Sequence, residues 1–128
     1  MLTAGMVFAV LAAALHVLIF YMESIAWEGA LARKTFGGTP EEVRPHAFYA
    51  FNQGFYNLFL ALQAIIGVVL AALGYAVIGA ALILAGTGAM LAAAVVLALA
   101  SAPHRSAAAK QGTFPLLAVV CTLAALLG

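Results

Sequence analysis

Apolar residues run along this chain in four long stretches separated by short polar segments, and the stretches set the fold. The first extends from Thr3 to Tyr21 and can continue past Glu23 to Trp27. The second extends from Ala47 to Leu73, with polar residues only in its first half, and the third from Tyr75 to Ala100, with nothing more polar than Thr87. Both exceed the roughly 20 residues that cross a bilayer core as a helix. The fourth, Phe114 to Leu127, is short and barely crosses at 1.5 Å per residue. No alternation of apolar and polar positions suggests a barrel. The first stretch lacks a basic leading segment and a small-residue cleavage site, so it reads as a span rather than a signal peptide. The expected class is all-α: a polytopic membrane protein of four transmembrane helices in an antiparallel bundle. Alanine, glycine and leucine dominate the spans, and Gly79, Gly86 and Gly88 are expected notches for close helix contact on the third.

The connections differ. Glu28 to His46 is long and polar, Leu73-Gly74-Tyr75 is a tight turn, and Ser101 to Gly112 is a second polar loop containing Pro103. Thr39-Pro40-Glu41-Glu42 has the form of a capping box with proline in the first helical position, which predicts a short surface helix before the second span. Pro45 marks the step between the two.

Composition agrees with the pattern. Of 128 residues 67% are apolar and 7% charged, where a soluble domain has about a quarter charged. Residues 1–128 therefore form one domain whose solvent is the lipid bilayer. A net charge of +1 is too small for the basic surface that nucleic-acid binding needs. The single cysteine, Cys121, forms no intrachain disulfide, and no spacing for structural zinc exists. All five basic residues lie in the two polar loops: Arg33, Lys34, Arg44, Arg105 and Lys110. Both loops lie on one side of a four-span chain, and the positive-inside rule places them in the cytoplasm, with both termini outside.

Polar residues inside spans need a reason, since each costs about 2.5 kcal/mol or more at the centre of a helix if charged. On the first span His16, Glu23 and Trp27 fall within an arc of roughly 60°. On the second, Tyr49, Asn52, Tyr56 and Gln63 share a narrow face, with His46, Gln53 and Asn57 beside them, so that helix is polar over about 140°. Counting at 1.5 Å per residue, Glu23 and Asn52 lie about 6 to 9 Å inside their loop-side ends, and His16 and Asn57 roughly 16 Å. The faces are therefore expected to meet in layers: Glu23 with Asn52 and Gln53, and His16 with Tyr56 and Asn57. Gln111 and Thr113, entering the fourth span, would close the cluster.

The simple reading of this cluster is hydrogen-bonded glue between helices, but such bonds average about 0.6 kcal/mol, and one or two would serve where eight polar groups are present. The chemical reading is a polar intramembrane pocket, open to the cytoplasmic side, that binds a small or lipophilic ligand. Glu23 and His16 are the candidate acid-base pair; Trp27, Tyr49, Asn52, Gln53, Tyr56, Asn57, Gln63 and Gln111 are the candidate ligand contacts. His46 is read as an interfacial residue at the start of the second span, His104 as a loop residue and Cys121 as packing. No metal site is expected: His16 and Glu23 stand two helical turns apart, about 10 Å, and no HExxH or ExxH pair occurs. The sequence identifies no cofactor.

The stretch from His16 to Glu23, followed by Trp27, then Lys34-Thr35-Phe36-Gly37 and Asn52-Gln53-Gly54-Phe55-Tyr56-Asn57-Leu58-Phe59-Leu60-Ala61, resembles the small bacterial and fungal membrane proteins grouped as domain of unknown function 1304. Ala85-Gly86-Thr87-Gly88-Ala89 and Gln111-Gly112 with Pro115 are similar to weaker signatures of that family. The resemblance implies a four-helix integral membrane protein, expected here in a bacterial inner membrane, and brings no reaction with it. Two alternatives stand beside the pocket. One is a proton-coupled transporter acting as a dimer, as in the four-span multidrug exporters with a single glutamate in the first span, although Glu23 lies nearer a span end. The other is a structural or assembly subunit whose polar face meets a partner, so homo-oligomers belong to the expectations.

Overall fold

A chain crossing lipid must satisfy its backbone polar groups internally, and in an open chain only the helix does so. The computed structural model describes all 128 residues, and four helices in it are long and apolar enough to cross a membrane. α1 (Leu2–Phe20) runs on through a π-helical turn (Tyr21–Ile25). The polar connection folds as α2 (Ala30–Phe36), α3 (Pro40–Val43) and a 3-10 turn (Arg44–His46) before α4 (Ala47–Ala72). α5 (Ala76–Ala100), a 3-10 turn (Ala102–His104) and α6 (Arg105–Leu127) complete the chain. This is an all-α integral membrane protein.

α1 packs on α4 and α6, α4 on α5, and α5 on α6, forming an antiparallel ring of four. Small residues line its interior. Ala12, Ala13, Ala61 and Ala64 surround Met90, while Ala9, Ile83 and Ala118 form the layer nearer the termini. α4 and α5 approach most closely: a Cβ on Gly67 would lie 2.7 Å from the Ile83 backbone N, and one on Gly79 2.6 Å from the Gly67 carbonyl oxygen. Gly86 presses more gently on Ala64. Gly88 meets nothing within 4 Å, so it is not a notch. Large apolar side chains such as Val10, Phe59, Ile66 and Val96 face outward, as lipid contact requires.

The predicted cap forms: the Glu42 N–H donates to Thr39 Oγ1 at 3.3 Å and the Thr39 N–H to Glu42 Oε2 at 2.8 Å. The Leu73–Tyr75 turn places Gly74 at φ 96°, a left-handed conformation that glycine adopts without strain. The fourth span departs from expectation. It begins at Arg105 rather than Phe114 and has 23 residues, about 35 Å, because Arg105 to Gln111 is rich in strong helix formers and turns the expected loop into the first two turns of α6. α2 is likewise an addition, ended by Gly37 at φ 85°. His46 stands at the N-cap of α4 but makes no side-chain capping bond.

Candidate functional site

The loop-side end of α1 carries the densest polar contacts in the bundle. There the Ala26 N–H donates to the Tyr21 carbonyl at 2.9 Å, the wide i→i+5 bond of a π turn, a feature frequent at functional sites. This turn holds Glu23 and Ser24 against α4 at Gly54, where a Cβ would collide with Ser24 Oγ and come within 3.1 Å of Glu23 Cβ. Ser24 Oγ donates to the Phe51 carbonyl at 2.7 Å. The Glu23 side chain extends along α4 and accepts from Asn57 Nδ2 at 2.9 Å, while the same amide lies 3.2 Å from the Gln53 carbonyl. Glu23 is half-buried.

His16, two turns deeper, is 1% exposed. Its Nδ1 lies 2.8 Å from the Ala12 carbonyl, and because a carbonyl only accepts, Nδ1 carries the proton. In the neutral ring Nε2 is then a bare acceptor, buried and without a partner. Such groups are uncommon in folded interiors because leaving one unsatisfied is costly.

The expected layers are thus shifted. Glu23 pairs with Asn57 rather than with Asn52 or Gln53, and His16 has neither Tyr56 nor Asn57 as a bonded neighbour. The cause is the small-residue seam: α4 meets its neighbours through Ala50, Gly54, Ala61 and Ala64, since close helix contact favours small residues over polar ones. That rotates the polar stripe outward. Tyr49 is 73% and Tyr56 59% exposed, Asn52 and Gln53 are exposed, and Gln63 is half-buried. Trp27 is engaged structurally: its indole N–H donates to the Val43 carbonyl at 2.8 Å and its ring packs on Phe36. Gln111 lines a different space, a cavity of about 510 Å³ between α1, α2 and the start of α6. Thr113 bonds back to the Ala109 carbonyl of its own helix.

Two partners in this site escaped the polarity count. Ser24 adjoins Glu23 in the sequence, and Gly54 sits in the middle of the polar run; a search for small residues facing the carboxylate would have found both. No three His, Cys, Asp or Glu side chains converge on one point; the polar side chains at the turn are the Glu23 carboxylate, the Asn57 amide and the Ser24 hydroxyl.

No curated protein and no solved structure matches the chain. The pattern of the family described as "Protein of unknown function (DUF1304)" matches residues 10–123, nearly the whole length, and takes in both Glu23 and the Asn52–Ala61 stretch. The chain belongs to the DUF1304 family.

Proposed function

We propose that the protein binds the polar group of a small lipophilic molecule at Glu23, with that carboxylate as proton donor or acceptor and His16 as its inner partner. The observation that carries this reading is the Asn57 Nδ2–Glu23 Oε2 bond of 2.9 Å at a π turn. Asn57 holds one carboxylate oxygen and leaves Oε1 for a ligand. The outward stripe of α4 supports a lateral route: a polar group moving from the bilayer along Tyr56, Asn52 and Gln53 arrives beside Asn57 and then Glu23. His16 Nε2, unpaired in the interior, is the acceptor that a ligand hydroxyl or a bridging water would satisfy. In this account the basic loops face the cytoplasm of a bacterial cell and both termini lie outside.

The test is mass spectrometry of small molecules retained by the purified protein. Glu23→Gln keeps size and hydrogen bonding but removes the exchangeable proton; it is expected to fold like the parent and lose the retained molecule. Retention by both proteins overturns the proton role.

The same stripe favours a second reading, in which a second copy covers Tyr49, Asn52 and Tyr56, because polar side chains facing lipid at this depth are costly. Asn52→Cys in a Cys121→Ser background distinguishes the two: a disulfide-linked dimer in native membranes supports the partner, and a monomer supports the open route.

A further inference from the structure

The cavity beside Gln111 uses other residues than the Glu23 site. Its apolar wall is the face of α1 formed by Leu15, Leu18, Ile19 and Met22, and Leu18 is exposed at the rim, so the wall continues into the lipid-facing surface. Its polar rim comes from α2 and α6, with Lys34 on one side and His104 and Lys110 on the other. No acidic side chain lines it.

The charges elsewhere make this rim distinctive. The arginines are all engaged: Arg44 bonds the Glu28 carboxylate, Arg33 Nε donates to the Glu28 carbonyl, and Arg105 Nε donates to the Ala98 carbonyl. The acids are engaged too, with Glu28 on Arg44, Glu42 in the α3 cap and Glu23 on Asn57, leaving only Glu41, on the surface of α3 away from the cavity lining. Lys34 and Lys110 have no protein partner, and both face the same cavity. His104 is turned by the bond between its Nδ1 and Ser101 Oγ, 2.6 Å. Two unpaired ammonium groups above an apolar wall that opens to lipid have the chemistry to hold an anionic head with an acyl chain below it, and basic pockets between spans are known to take such headgroups.

We infer that this cavity is a binding site for an anionic phospholipid of the loop-side leaflet, its phosphate between Lys34 and Lys110 and one acyl chain along Leu15, Leu18 and Ile19. The inference does not depend on Glu23, since none of these residues belongs to that site.

The experiment titrates the full-length protein in detergent with phosphatidylglycerol, phosphatidylcholine and glycerol 3-phosphate, read by native mass spectrometry. Phosphatidylglycerol is expected to bind well above the other two. Lys34→Gln with Lys110→Gln should weaken it about thirtyfold, as expected for two lysine contacts at a membrane surface, while Arg33→Gln, which removes a charge outside the cavity, should leave it nearly unchanged. Ala107→Phe keeps both lysines but puts a bulky ring into the cavity, and is expected to weaken binding as well. Phosphatidylcholine binding as tightly, glycerol 3-phosphate binding as tightly, or an equal loss from Arg33→Gln would each overturn the site. So would Ala107→Phe binding normally, and each variant's melting temperature verifies that it is folded.

Discussion

The two long seams of α4 are built on different principles. Against α5 it is joined through Gly67, Gly79 and Gly86, with backbone on backbone and no side-chain hydrogen bond across the contact. Against the end of α1 it is joined through Gly54 as well, but there the space admits Ser24 and Glu23, and two side-chain bonds cross the seam. Small residues serve packing in the first case; in the second they make room for polar groups. A glycine in a span therefore does not report its purpose until what lies opposite is known. The first seam is close packing alone, and the second also accommodates a half-buried carboxylate.

The contrast is open to direct attack, and the largest effect is expected at the α4–α5 seam. Gly79→Val puts a branched side chain where even a Cβ would lie 2.5 Å from the Ala71 backbone N, and relief requires the helices to separate. Overpacking of this kind costs about 3 kcal/mol, read as a lower melting temperature in detergent. A Gly79→Val protein as stable as the parent would show that the seam is loose.

At the α1–α4 seam the expected loss is smaller and specific to one partner. Asn57→Leu leaves Glu23 without its donor and should cost about 1 to 3 kcal/mol, the penalty of an unsatisfied buried polar group. Removing both, as Glu23→Met with Asn57→Leu, should restore most of it. If the double variant is as unstable as the single one, the pair is not what couples these helices.

The smallest effect is expected at His16. Nε2 has no partner to lose and Nδ1 bonds only within its own helix, so His16→Leu, of similar bulk, should change stability by less than about 1 kcal/mol. A large loss would mean that the imidazole bonds something in the membrane, such as an ordered water, on which the fold depends.

Much of this architecture is legible in the sequence because lipid imposes one rule, continuous apolar helix, and the runs at Ala47 and Tyr75 obey it within one residue at each end. The start of α6 is less legible, since Arg105 to Gln111 is polar by composition yet helical by propensity, and a search for apolar runs sees only the first property. The site was legible in part. That Glu23 would meet the polar half of α4 follows from face and depth, but the choice of Asn57 over Asn52 depends on where two helices touch. That point is set by Gly54 and Ser24, which carry little hydropathy signal. Lys34 and Lys110 stand far apart in the sequence, and nothing in the order of polar residues brings α2 and α6 to one cavity.

The central claim, that Glu23 is a working carboxyl reached from within the bilayer, is tested most directly by labelling native membranes with dicyclohexylcarbodiimide, a lipid-soluble reagent for protonated carboxyls, and mapping the adduct by peptide mass spectrometry. Modification is expected at Glu23, with little at Glu28, Glu41 or Glu42, which lie exposed on the loop side. An unmodified Glu23, or one labelled no more than Glu41 and Glu42, would contradict it.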